Sequence, residues 1–151
     1  MATDGRSNRS SNPVTSEFDA RSFDRPRERA APNALHGHWL SGGADVTVKL
    51  TELTLVVAVK SHCDGCQEFI NADVSDLRVP VLVISADDGI SSEWREARQP
   101  VFVSPEAFRL LDIRWPPIYV LIDPGARRVL SEGVLFGVQQ VAKEIGPYLD
   151  V

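Results

Sequence analysis

The sequence predicts an α/β domain built on one central mixed β-sheet. Three observations lead there. Two continuous runs of β-branched and aliphatic residues, Leu53 to Val59 and Val79 to Ser85, have the composition of strands buried on both faces. Each run is followed by a helical pattern. The last third of the chain holds a strand, an Asp123-Pro124-Gly125 turn, a second strand and an apolar stripe of period 3.6. The resulting order, βαβ, then αβα, then ββα, is that of a sheet with helices packed on it.

Residues 1–34 are expected to form a disordered tail ahead of a domain spanning residues 35–151. The tail is rich in Ser, Asn, Arg and Asp, and apart from Met1 its only apolar residues are Val14, Phe18, Phe23 and a few Ala. Such a stretch cannot bury enough surface to offset its ordering entropy. It also lacks the apolar core of a secretory signal, so a cytoplasmic location is expected. From residue 45 the pattern becomes regular. Val46, Val48 and Leu50 alternate with polar residues and predict a short strand. The strand Leu53 to Val59 leads to a helix from Cys63 to about Val74, with Phe69, Ile70 and Val74 on one side. After Val79 to Ser85 comes a short amphipathic helix over 90–98 around Trp94, then a small strand from Val101 to Val103. Ser104-Pro105-Glu106 supplies an N-cap and an N1 proline for a helix through Leu111. Ile118 to Ile122 and Arg128 to Ser131 pair across the turn. Val138, Val141, Ala142, Ile145 and Leu149 then form the stripe of the closing helix.

Composition excludes several classes. A chain of 151 residues fits one domain, and 43% hydrophobic with 25% charged residues is ordinary for a globular protein. The longest apolar run, Leu53 to Val59, falls far short of the roughly 20 residues of a membrane span. A net charge of −5 argues against binding nucleic acid by phosphate neutralisation. Two cysteines are too few for a disulfide-stapled scaffold.

The informative stretch is Lys60-Ser61-His62-Cys63-Asp64-Gly65-Cys66, between a buried strand and a helix. A cysteine at a helix N-terminus meets unpaired N–H groups and the positive end of the macrodipole, which favour the thiolate. The thiolate is the nucleophile in disulfide exchange. A second cysteine one turn on is close enough to attack a mixed disulfide. Three other uses of the pair are open at this level. They can be inert packing residues, or part of a metal site completed by His62, His36 and His38. They can also belong to a peroxidase, although no proline stands at the Pro-x-x-x-Thr-x-x-Cys position before either one. The second mark is Trp115-Pro116-Pro117, directly before a strand. It is a candidate cis peptide bond, or two prolines that end a helix and start an edge strand.

With these residues in view, the stretch from about 43 to 149 resembles the thioredoxin superfamily, in the branch of TlpA-like and ResA-like thiol-disulfide oxidoreductases. The opening Gly43 to Leu53 is similar to that branch's hairpin, and Leu55 to Cys66 to its core strand and Cys-x-x-Cys helix. Val101 to Glu106 resembles the strand leading into the family's extra helix. Pro117, six residues before Asp123, sits where the family has its cis-proline. The resemblance implies a thioredoxin-like fold, with Cys63 as nucleophile, Cys66 as resolving thiol and Pro117 facing them. It implies no cofactor beyond the cysteine pair.

Departures from the family pattern shape the expected chemistry. His62 replaces the usual Trp before the first cysteine. It can act as an acid/base or stabilise the Cys63 thiolate when protonated, or be a solvated loop residue. Thioredoxins proper carry a buried Asp six residues before the first cysteine; here it is Val57. Asp64 opposes ionisation of Cys63, so His62 and Asp64 pull in opposite directions. The residue before the cis-proline pairs its backbone with substrate in the family, but Pro116 has no N–H, which predicts altered peptide docking. Trp115 offers an apolar contact or fills the core. The expected activity is thiol-disulfide exchange with a disulfide-bearing protein or a small thiol substrate. With no nicotinamide or flavin fingerprint, recharging falls to a separate reductase or thiol donor. A thioredoxin-fold binding or redox-sensing module without turnover, and a thiol peroxidase, are the alternatives.

Overall fold

A computed structural model of the chain describes residues 30–86, 94 and 97–149. Seven strands form one sheet: β1 (Ala34–Trp39), β2 (Val46–Lys49), β3 (Thr54–Val59), β4 (Val81–Ser85), β5 (Val101–Val103), β6 (Ile118–Asp123) and β7 (Arg128–Val134). Their order across the sheet is β2-β1-β5-β4-β3-β6-β7. The centre, β5-β4-β3, is parallel, while β1, β2, β6 and β7 join antiparallel. Among the described residues three α-helices complete the fold: α1 (Asp64–Ile70), α2 (Pro105–Leu110) and α3 (Val138–Leu149).

The central strands alternate between two cores, as the two-residue strand period requires. Leu55, Val57 and Val59 of β3 face a core closed by α1 and α3, whose Phe69, Ile70, Val141 and Ile145 are buried there. Val56 and Ala58 face the other side, with Ile84, Phe102 and Val120, under Ala107 and Leu111. All six residues of β3 are buried, as expected for its uninterrupted β-rich run. Ser104 caps α2 by accepting from the Ala107 N–H at 3.1 Å, with Pro105 in the first turn, as its sequence signature predicts.

Three features differ from the sequence reading. The helix expected to run from Cys63 to Val74 covers only Asp64–Ile70, and a 3-10 turn follows at Ser75–Leu77. Gln99 ends it from afar: its N–H donates to the Ile70 carbonyl at 2.9 Å and its side chain to the Ala72 carbonyl at 3.1 Å. The helix expected over 90–98 lies largely outside the described residues. Of its residues Trp94 is described and buried, with its indole N–H donating to Gln67 on α1.

The third difference is β1, for which the sequence shows no alternating pattern. It is held by its neighbours. The Ser104 hydroxyl donates to the His36 carbonyl, and the His36 N–H donates to Glu106 at 3.1 Å. A β-carbon at Gly37 would stand 2.1 Å from the Val103 carbonyl oxygen, so only glycine admits this approach. Gly37→Ala is therefore expected to cost about 1–3 kcal/mol, read as a lower urea midpoint. An unchanged midpoint would mean that β1 does not depend on the contact. Part of the stretch expected as tail is also described. Ala30 bridges to Arg128, and Ala31 is buried with its N–H donating to the Arg127 carbonyl at 2.9 Å.

Tyr119 of β6 is the largest fully buried side chain, and its ring lies over Gly133 of β7. Its hydroxyl donates to Glu144 of α3 and meets the Ser131 hydroxyl at 3.3 Å. Burial, and then the hydrogen bond to Glu144, hold this phenol well above its ordinary 10.0. The unfolded chain ionises this group first, so its contribution to stability is complete below about pH 10. The contribution is lost as pH rises toward the folded value. Between pH 9 and pH 11 the wild-type urea midpoint should fall more than that of Tyr119→Phe. Equal falls would remove Tyr119 as the source.

Candidate functional site

The site is built where three strand ends meet. Ala58, near the end of β3, pairs with Ile118 at the start of β6, and Ile118 pairs with Val134 at the end of β7. The segments Lys60–Cys63, Trp115–Pro117 and Leu135–Gly137 therefore emerge at one end of the sheet. The Leu135 N–H donates to the Pro117 carbonyl at 3.1 Å and ties two of these segments together.

Cys63 and Cys66 form a disulfide with 5.2 Å between their α-carbons. Cys63 is the N-cap of α1, with extended backbone, and its Sγ accepts the Cys66 N–H at 3.2 Å. That main-chain donor is aimed where negative charge develops when the sulfur becomes a thiolate. The two sulfurs differ in access. Cys63 is half-buried, whereas Cys66 is fully buried in the core with Val57, Val59 and Leu135. Cys63 is thus the outer residue of the pair and Cys66 the enclosed one.

His62 is exposed and occupies the left-handed region at φ 56°. It is thus the residue on which the chain turns from β3 into α1, a conformation that His tolerates better than most side chains. Asp64 is exposed in the first turn of α1, where its charge complements the macrodipole. Val57 is fully buried, so the inner face beneath the pair is apolar at that position. The Pro116–Pro117 peptide bond is cis. Trp115 is 81% exposed, which excludes the core role that was one of its two expected uses.

The structure also separates residues that the sequence left open as partners. His36 and His38 are on β1, with β5 and β4 between them and β3. His36 Nδ1 is 2.6 Å from the Thr47 hydroxyl, and His38 Nδ1 is 3.9 Å from Asp45. They line a cleft of about 470 Å³ at the opposite part of the sheet, and do not reach the cysteine pair.

Phe136 was not picked out by the sequence. It is 79% exposed beside the Leu135–Pro117 contact. Gln140 fixes its backbone, accepting from the Phe136 N–H at 2.8 Å and the Gly137 N–H at 3.2 Å while donating to the Val134 carbonyl at 2.8 Å. A Gln three residues after Gly137, the residue that precedes the helical stripe, is the only sequence signal for this corner.

No family model matches the sequence, and no curated protein matches it. Solved structures do match the fold. One is the thioredoxin domain of a thiol-disulfide oxidoreductase from Bacteroides vulgatus, with a TM-score of 0.60 at 14% identity, covering 81% of this chain and 96% of that one. Another, from Chlorobium tepidum, is described as a thiol:disulfide interchange protein DsbE. Its TM-score is 0.59 at 20% identity, covering 84% of this chain and 99% of that one. A mitochondrial 2-Cys peroxiredoxin from Plasmodium falciparum matches with a TM-score of 0.52 at 10% identity, covering 80% of this chain and 92% of that one. At these identities the likeness is one of fold. Seven mixed strands, a cysteine pair at the β3–α1 junction and helices on both faces give this chain a thioredoxin-like fold.

Proposed function

We propose that the chain is a thiol-disulfide oxidoreductase working through Cys63 and Cys66. The observation that carries this reading is the asymmetry of the pair. Cys63 is accessible and its sulfur accepts a main-chain N–H, while Cys66 is fully buried beside it. In the reducing direction the Cys63 thiolate bonds to one sulfur of a substrate disulfide, and the other sulfur leaves as a thiolate. The Cys66 thiolate then attacks Cys63 Sγ, the mixed disulfide breaks, and the intramolecular disulfide forms. Two electrons pass to the substrate, and the two protons given up by the cysteines end on the two released thiols. A separate reductase or thiol donor reverses the change in the protein. The partner is a disulfide-bearing protein or a small thiol substrate.

The test is an equilibrium redox titration of the pair, read by thiol alkylation and intact mass. A reversible two-electron couple is expected. Failure to form the intramolecular disulfide under any oxidant would overturn the reading and leave a binding module.

A further inference from the structure

Leu135 belongs to the core cluster that encloses Cys66, but the sheet ladder does not hold it there. Val57 and Val59 of the same cluster are on β3, which is paired with β4 on one side and β6 on the other. Leu135 is buried with them, yet it stands one residue beyond the end of β7 and past the last β6–β7 pair, Ile118–Val134. Its own N–H donates to the Pro117 carbonyl at 3.1 Å. The residues on either side of it are fixed by one side chain, Gln140 of α3. The Gln140 amide oxygen accepts from the N–H groups of Phe136 at 2.8 Å and Gly137 at 3.2 Å. Its amide nitrogen donates to the Val134 carbonyl at 2.8 Å and to Glu144 Oε2 at 3.1 Å. A carboxamide has two N–H donors and an oxygen with two lone pairs, so the hydrogen-bonding capacity of this one is filled. Glu144 is held in turn, because its Oε1 accepts from the hydroxyl of the buried Tyr119. A continuous hydrogen-bonded chain therefore runs from Tyr119 in the sheet interior, through Glu144 and Gln140, to the backbone that carries Leu135.

From this we infer that Gln140 is a positioning residue for the exchange reaction: its carboxamide keeps Leu135 in the core around Cys66, so that the resolving thiol meets Cys63 and not an external disulfide. This rests on the oxidoreductase reading and deepens it. The rate of disulfide exchange depends on access to the thiol as well as on its ionisation. An open Cys66 thiolate would itself attack an external disulfide, expel one thiolate and end as a mixed disulfide on the wrong sulfur. Enclosure removes that route and leaves Cys63 Sγ as its reaction partner. At Leu135 the enclosure depends on bonds from one side chain and one carbonyl rather than on a strand ladder. A closure of that kind opens locally at a lower cost than the sheet does, and Gln140 sets the cost.

The experiment uses the full chain carrying Cys63→Ser, so that Cys66 is its one thiol, with iodoacetamide as the probe and intact mass as the readout. Adding Gln140→Met keeps the length and the apolar stem of the side chain and removes all four hydrogen bonds. Alkylation of Cys66 is expected to speed up by about tenfold or more, the scale on which losing several hydrogen bonds shifts a local opening. Oxidised glutathione should likewise form its mixed disulfide with Cys66 faster in that protein. Gly37→Ala in the same Cys63→Ser background is the comparison, because it lowers stability at β1, far from the cysteine pair. It should lower the urea midpoint and leave the Cys66 alkylation rate unchanged. Equal alkylation rates with and without Gln140→Met would overturn the inference. So would an equal acceleration by Gly37→Ala, which would assign the effect to global stability rather than to position. Alkylation requires no turnover, so these outcomes are separate from failure of the oxidoreductase reading, which the redox titration of the unsubstituted pair reports.

Discussion

Reduced Cys66→Ser protein is expected to accumulate mixed disulfides through Cys63, while Cys63→Ser accumulates none. The reason lies in which features each substitution leaves in place. The donor that supports a Cys63 thiolate is the main-chain N–H of residue 66, 3.2 Å from Sγ, and a serine side chain keeps it. Cys63 also keeps its access to solvent, so the first step proceeds. The second step then has no internal thiol, and the mixed disulfide waits for an external one. Steady-state exchange should fall by about 10²-fold or more, the scale on which loss of a reacting group acts. In Cys63→Ser the remaining thiol is the fully buried Cys66, which substrate does not reach. Intact mass under non-reducing conditions checks both variants. Adducts on Cys66 in the Cys63→Ser protein, with none on Cys63 in the other, would reverse the assigned roles.

The parts of the molecule that were legible in the sequence are those specified locally. The runs of β3 and β4 announce themselves because both faces of each strand are covered, and the Ser104-Pro105 start of α2 because a cap acts within one turn. The cysteine pair belongs to the same class, since its chemistry depends on a spacing of three residues. The parts that were not legible are fixed from a distance. β1 has the sequence Ala-Leu-His-Gly-His-Trp, with no apolar alternation to display. Its strand geometry comes from Ser104, Glu106 and the close approach at Gly37. The end of α1 is set by Gln99, far along the chain. Phe136 reads in the sequence as one more apolar residue between a strand and a helix, and Trp115 as either core or contact. The backbone at Phe136 is fixed by Gln140 and by the neighbouring Leu135–Pro117 hydrogen bond, which joins segments distant in the chain.

Placing a carboxylate under the cysteine pair should be among the most damaging single changes available, and its damage should depend on pH. Val57 is fully buried in the same core cluster as Cys66, and its neighbour across the β3–β6 ladder is the buried Tyr119. Val57→Asp puts an ionisable group where desolvation disfavours its charged form, so its folded pKa rises above the unfolded value of about 3.9. A rise of roughly three pH units corresponds to about 4 kcal/mol at neutral pH, in addition to the apolar packing that the valine side chain supplies. With the folded value raised, this ionisation penalty is absent below the unfolded pKa. It grows as pH increases and is complete once the folded pKa is passed. The variant should therefore sit closest to the wild type near pH 4 and furthest from it at pH 7, measured by urea midpoints at each pH. Val57→Thr controls for the change in packing, because it carries a polar group without a titration. A deficit in Val57→Asp that is the same at both pH values would show that the carboxylate reaches water. The apolar floor beneath Cys66 would then be open rather than closed.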